Sequence, residues 1–316
     1  MNRAAAAGTS VPRRPTRAEP PGLVQWAPTA PRRADAHIST SAGERALVVR
    51  PLQTHHVEQA LAITGLRPYA HCFLTSLLER GAIDDLVGVF DAGEMRAVAS
   101  VAGNCVATDL QADTARALAD HLALVGRRVA SIVCRQPDVT LLWEALAGRW
   151  GTPREVRLQQ PLLVLDGPPL VEPDPAVRRG QAGDFTRLLP CCVEMFTAEV
   201  GVSPFANGME GAYRRRIEHT IETGRSFLRT DDGRVVFKAE IGAISSAACQ
   251  VQGVWVRPER RGQGLGAAGM AAVAVEARRS IAPAVELYVN DFNTAARTTY
   301  ARVGFEQVDT FRTVFF

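Results

Sequence analysis

The apolar positions of this chain change period several times, and each change marks an element. Arg225 to Thr230 and Arg234 to Ile241 flank Asp231-Asp232-Gly233, a spacing that predicts an antiparallel hairpin. Ahead of it Met209, Tyr213, Ile217 and Ile221 recur every four residues until Gly224, which predicts a helix over Met209 to Thr223 with that stripe in the core. Phe185 to Leu189 starts an earlier helix. After the hairpin, Ala247 to Val256 reads as a strand, with Val254 and Val256 alternating and Pro258 ending it. Ala267 to Arg279 then reads as a helix whose sole breaker is Gly269. Val285 to Asn290 is a strand, Asn293 to Val303 a helix capped by Asn293 and stopped by Gly304, and Phe305 to Phe316 a last strand.

Residues 46–165 repeat this order in blurred form. A strand (Ala46 to Arg50) precedes helical segments over Gln53 to Ile63 and Pro68 to Arg80, then a hairpin about Asp91-Ala92-Gly93 and a helix over Ala112 to Leu124. A strand (Val129 to Cys134), a helix (Val139 to Arg149) and a strand (Glu155 to Leu165) close the half. Residues 166–175 hold Pro168, Pro169, Pro173 and Pro175 and read as a stiff linker between this half and residues 176–316. Residues 1–45, rich in Ala, Pro and Arg without a sustained period, read as a disordered tail. The pattern predicts an α/β chain with a mixed sheet, α+β in its hairpins.

The one segment that spells out chemistry is Arg260-Arg261-Gly262-Gln263-Gly264-Leu265-Gly266, between a strand and a helix. Three glycines in five positions let backbone approach a ligand closely, and the first N–H groups of a helix point outward unpaired. Two arginines add positive charge. The segment is an anion-binding device suited to a phosphate or pyrophosphate. Gly264-x-Gly266-x-x-Gly269 also satisfies a dinucleotide fingerprint, with Glu286 and Asp291 about 20 residues on. A dinucleotide fold needs several further βα units after that fingerprint, yet only about 50 residues follow Gly266.

The second block, Asn293-x-x-Ala296-x-x-x-Tyr300-x-x-x-Gly304-Phe305, follows in the right order. Together with Arg261-x-x-Gly264-x-Gly266 it resembles the GCN5-related N-acetyltransferase (GNAT) family over about residues 175–316. The resemblance implies the GNAT fold, two tandem GNAT-like domains in all, and acetyl-CoA as acyl donor. It implies a pyrophosphate on backbone N–H groups of Gly262, Gln263, Gly264, Leu265, Gly266 and Ala267, assisted by Arg260 and Arg261. Pantetheine would lie along the strand carrying Val254 and Val256, with the Val254 N–H toward the thioester carbonyl. Tyr300 matches the family tyrosine that protonates the departing thiolate; a phenol with a pKa of about 10 is protonated at neutral pH. Asn293, seven residues earlier on the same helix face, is placed to reach the cofactor. Many relatives carry a glutamate where this chain has Gln250, and an amide cannot act as a base. Glu240 on the preceding strand is then the strongest candidate base, ahead of Glu199 and Glu194 in an expected acceptor loop over Glu194 to Asn207. Lys238 is placed to pair with Glu240. In the first half, Gln111-Ala112-Asp113 stands where the arginines and glycines would be. Asp113 would cap the helix and repel a pyrophosphate, so the first half reads as a degenerate copy with a structural or acceptor-shaping role, the alternative being an unrelated α/β domain.

Composition narrows the partners. The net charge is +3, and residues 1–45 alone hold seven arginines against three acids, so nothing calls for nucleic acid. Lys238 is the only lysine. The six cysteines fall in apolar runs without metal-ligand spacing, which predicts buried thiols and no metal site. No run of about 18 apolar residues suits a membrane, and the sequence reads as cytoplasmic. The implied partners are acetyl-CoA and an amine acceptor, small molecule or protein; no motif specifies an oligomeric state. The rival reading, motivated by Gln250, is an acyl-CoA sensor or scaffold that has lost catalysis.

Overall fold

The computed structural model describes residues 47–316; the tail expected over residues 1–45 lies outside them. The first half runs β1 (Val48–Pro51), α1 (Val57–Gly65), α2 (Cys72–Glu79), β2 (Leu86–Asp91), β3 (Glu94–Ala107), α3 (Ala112–Val125), β4 (Val129–Arg135), α4 (Gln136–Trp150) and β5 (Glu155–Leu165). The second runs β6 (Arg178–Arg179), α5 (Phe185–Val200), α6 (Glu210–Glu222), β7 (Ser226–Asp231), β8 (Arg234–Ile244), β9 (Ala248–Val256), α7 (Leu265–Ser280), β10 (Ala284–Tyr288), α8 (Thr294–Val303) and β11 (Glu306–Phe315). Both hairpins turn where the sequence placed them. Ala92 and Asp232 take positive φ, each followed by a glycine that also does, as a two-residue hairpin turn requires.

All strands join one mixed sheet in the order β1-β2-β3-β4-β11-β5-β10-β9-β8-β7-β6. The chain's last strand therefore does not close its own half. β11 lies between β4 and β5, antiparallel to both, while β5, the last strand of the first half, lies between β11 and β10. Each half lends its final strand to the crossover strand of the other. The helices interlock as well: α2 packs on β8 and β9, the Cys72 thiol donates to the Ala248 carbonyl at 3.3 Å, and Ala243, Ala248 and Ala284 belong to the first half's hydrophobic core.

In the second half α7 and α8 pack with the β8–β10 strands around Met270, Val273 and Phe237, while α5 and α6 form a separate cluster with Leu228, Val235 and Trp255. Of the expected stripe, Tyr213, Ile217 and Ile221 are buried on α6, whereas Met209 is its half-buried N-cap and, with Tyr213, lines a cavity. The segment expected as a loop from Glu194 is instead helical to Val200. α5 continues through Pro190 and stops at Gly201, which takes the left-handed conformation. An interior proline costs about 3 kcal/mol, offset here by the apolar face Leu188, Leu189, Cys192 and Phe196. All six cysteines are unpaired and buried. None of the helices among the described residues is long and apolar enough to cross a membrane.

Gly269, the breaker inside α7, is a packing glycine. A Cβ there would lie 2.7 Å from the ring of the fully buried Phe237 on β8. Gly269→Ala is expected to destabilise the protein by about 1–3 kcal/mol, although alanine is the better helix former. Thermal and urea unfolding of the variant measure this.

Candidate functional site

The site begins where two neighbouring strands part. β9 pairs in parallel with β10 only over Ala248–Gln250, against Ala284–Glu286. β10 follows β5 to Tyr288, and β9 follows β8 to Val256, so a wedge opens between them. Gly253, with φ of 61°, sits at a bulge where Ala239 of β8 faces two residues of β9. Beyond the bulge the Arg257 N–H donates to the Val236 carbonyl at 3.0 Å. Strand alternation then turns the N–H groups of Val254 and Val256 away from β8, into the wedge.

At the mouth of the wedge a short turn, Pro258–Arg260, leads into α7. Gly262 (φ 73°) and Gly264 (φ 82°) are left-handed, and open space surrounds the place a Cβ would occupy on either. Gly264 is the N-cap of α7. The Leu265 and Gly266 N–H groups precede the first intrahelical bond and are oriented for an anion. The Ala267 N–H is already donated to the Gly264 carbonyl at 3.1 Å, so it does not serve as a ligand donor as expected. The two arginines also differ from expectation. Arg260 is bound to Asp231 in the β7–β8 turn and to Gln263, holding the Asp231 carboxyl below the usual range, so it braces the loop. Arg261 is exposed and uses only its Nε, on the Val256 carbonyl at 3.1 Å, leaving its terminal nitrogens toward solvent at the loop.

A cavity of about 740 Å³ extends from the wedge. Its wall brings together Val254, Asn293, Tyr300, Glu240, Gln250 and Glu199, along with Asn104 and Ser131 of the first half. Tyr300 is buried, packed edge-on against Phe305. Burial and then the nearby Glu199 carboxylate push its phenol above the ordinary value, so it is protonated at any working pH. Asn293 caps α8 by accepting from the Ala296 N–H at 3.2 Å and also faces the cavity.

Glu240 does not fit the role of base. Lys238 Nζ lies 2.8 Å from one of its oxygens and Arg216 Nη2 2.8 Å from the other. Burial pushes the carboxyl up, but the two cations outweigh it and hold it at about 2. A carboxylate so stabilised is too weak a base to take a proton from an ammonium. Glu199, on α5 rather than in a loop, is half exposed to the cavity and held by Arg157 at 2.6 Å and Asn290 at 3.0 Å.

A profile of the acetyltransferase (GNAT) family matches residues 194–305, the segment that carries the wedge, the glycine loop and Tyr300. Residues 194–305 of the chain form a GNAT domain. Upstream, residues 85–188 match a domain of unknown function, DUF4081. None of the curated proteins compared with the chain matches it. Among solved structures, a Drosophila protein aligns at 17% identity over 85% of this chain and 98% of its own, with a TM-score of 0.61. A tandem GNAT protein from the clavulanic acid biosynthesis pathway aligns at 15% identity, 85% and 98% coverage and a TM-score of 0.54. A GCN5-related N-acetyltransferase from Sphaerobacter thermophilus aligns at 18%, 86% and 96%, with 0.53. Such identities speak to the fold, which is a tandem GNAT arrangement.

The first half lacks the features that open the GNAT domain. β3 folds back on itself, Thr108 N–H donating to the Val98 carbonyl at 3.0 Å, and its returning arm pairs with β4 at Gly103–Cys105 and ends at Ala107. There is little strand left to form a wedge. At the loop before α3, Asp138 accepts from the Leu110 N–H at 2.7 Å, and Asp109 binds Arg67 and Arg135. The protein's own carboxylates stand where a phosphate would. The helix cap is Gln111 with Thr114, not Asp113, which lies in the first turn. Nothing in the local sequence pointed to Asp138, which arrives from 28 residues away.

At the base of the wedge in the GNAT domain, Gln250 Nε2 donates to Glu286 Oε1 at 2.7 Å. Gln250 Oε1 and Glu286 Oε2 are buried without a partner. Burial pushes the Glu286 carboxyl up to about 8; in its protonated form the acid can donate back to the amide oxygen and satisfy both atoms. The folded state then retains a proton that the unfolded chain has lost. Stability is full below the unfolded value of about 4.5 and falls as pH rises toward about 8. Glu286→Gln keeps both hydrogen bonds and is expected to flatten that slope. Melting temperature against pH for the two proteins tests it.

Proposed function

We propose that the protein is an acetyl-CoA-dependent N-acetyltransferase that passes the acetyl group directly to an amine while donor and acceptor are bound together. The observation that carries this reading is the continuity of the open wedge, the glycine loop at one end and the cavity with Tyr300 at the other. The loop N–H groups of Gly262 to Gly266 and Arg261 hold the pyrophosphate. The free edge of β9 pairs with pantetheine. The Val254 N–H faces the thioester oxygen and stabilises the negative charge that develops there, worth about 2.7–4 kcal/mol for such a donor. The amine nitrogen attacks the carbonyl carbon, the C–N bond forms and the C–S bond breaks. Tyr300 gives its proton to the thiolate and recovers one from solvent, and the amine proton leaves to Glu199, directly or through water. No cysteine is placed to form an acyl-enzyme: all six are buried.

Tyr300→Phe is expected to lower kcat and kcat/KM together by roughly 10²–10⁴-fold with little change in acetyl-CoA affinity. Weak binding with normal turnover at saturation would make Tyr300 a packing residue instead.

Calorimetry on the full chain is expected to find one acetyl-CoA per chain. Gly264→Asp should abolish binding, while Gly264→Asn, which carries the same backbone strain without the charge, should retain measurable affinity. Equal affinities in the two folded variants would remove the pyrophosphate assignment. A protein that binds acetyl-CoA but acetylates no amine would be the sensor that Gln250 suggests.

A further inference from the structure

Two cations share one carboxylate at the cavity wall. Lys238 is completely buried, Glu240 nearly so, and the Arg216 side chain keeps 32% of its surface, part of it toward the cavity. Removing charges from water is costly unless each finds a counter-charge, and here one positive charge is left over. Among the described residues Glu240 is the only carboxylate that Arg216 contacts. Glu199 and Glu155 both bind Arg157, and the Tyr213 hydroxyl donates to the Cys192 carbonyl. The Cys192 thiol, 3.5 Å from Glu240, is pushed up to about 12 by burial and stays neutral. The arginine has five N–H donors, and one is given to Glu240.

We propose that the acceptor amine carries a carboxylate and that Arg216 binds it, a specificity that rests on the acetyltransferase reading above. The donor cannot supply the missing anion, because its pantetheine arm and thioester are uncharged and its pyrophosphate belongs at the loop before α7. Arg216 offers a planar fork that pairs with a carboxylate through two parallel hydrogen bonds, and it is held from behind by Glu240 and by the Tyr213 ring 5.8 Å away. Glu199 supplies negative charge elsewhere on the same wall, near Tyr300. The cavity thus has a pole for the ammonium close to the acid and a pole for the carboxylate on α6, the pattern that an amino acid or related zwitterion matches. At about 740 Å³ it has the size of a small-molecule site, and part of it must take the end of the acetylated arm.

The test compares L-amino acids with their carboxamides as acceptors for the full-length protein, following release of the CoA thiol. For each side chain that is accepted, the acid is expected to exceed the amide in kcat/KM by roughly 30-fold or more. Arg216→Gln leaves Lys238 and Glu240 as a balanced pair, so it should fold. It should erase most of that preference by raising the KM of the acid, with acetyl-CoA affinity unchanged; Arg216→Lys should restore part of it. A second readout needs no turnover: N-acetyl-L-amino acids should raise the melting temperature of the CoA-bound protein more than their carboxamides do, and Arg216→Gln should abolish the difference. Amides accepted as well as acids, a preference that survives Arg216→Gln, or no response to any acid in either assay overturns the inference. Calorimetry with acetyl-CoA separates the two readings. Binding and acetylation of neutral amines without a carboxylate preference leaves the transferase standing, whereas no acetyl-CoA binding removes it.

Discussion

The pairing of β11 with β5 is the interaction on which the rest of the structure depends. On their far sides the two strands pair with the other half, β11 with β4 and β5 with β10, so this pair sits at the centre of the contact between the halves. Parting of β9 from β10 requires β10 to lean on something firm, and what it leans on is β5 from the first half. The first half therefore does structural work for the GNAT domain, while its own carboxylates hold the loop before α3. It also furnishes cavity wall: Asn104 and Ser131, joined by a 2.8 Å hydrogen bond at the base of β3 and β4, mirror Gln250 and Glu286 at the base of β9 and β10.

Charge in the molecule is arranged by the same division. Carboxylates from within the chain occupy the first half's loop, whereas the second half's loop keeps its glycine backbone open and one arginine free at its terminal nitrogens. In the second half the ion pairs with Lys238 and Arg216 hold Glu240 as an anion, whereas burial raises the carboxyl of Glu286 and the phenol of Tyr300. Glu240 and Tyr300 thus sit in opposite protonation states within one half, and Glu199 is a carboxylate left half exposed to the cavity.

Most of the elements were legible in the sequence because their signals are local. The Ala92-Gly93 and Asp232-Gly233 turns, the four-residue stripe on α6, the Asn293 cap and the glycine loop all act within a few residues. The misjudged features are those set by distant partners. The exchange of β5 and β11 leaves no trace in either strand's alternation, because a strand's pattern records which face is buried and not which neighbour it pairs with. Glu240 read as a candidate base because Arg216, 24 residues earlier, was not visible as its partner, although the adjacent Lys238 was. The extension of α5 through Pro190 follows from tertiary burial of its apolar face, which outweighs the local breaker.

The strand exchange also sets a timetable for the chain. A ribosome releases residues in order, and domains ordinarily fold as they emerge. Here β4 and β5 can be complete while the place between them is empty, because its occupant, β11, follows only after the whole of β6 to α8. Until then both strands present unpaired edges, the condition that invites pairing with another chain. β4 and β5 must wait for β11, and the chain is exposed to misassembly from the emergence of Leu165 until that of Glu306.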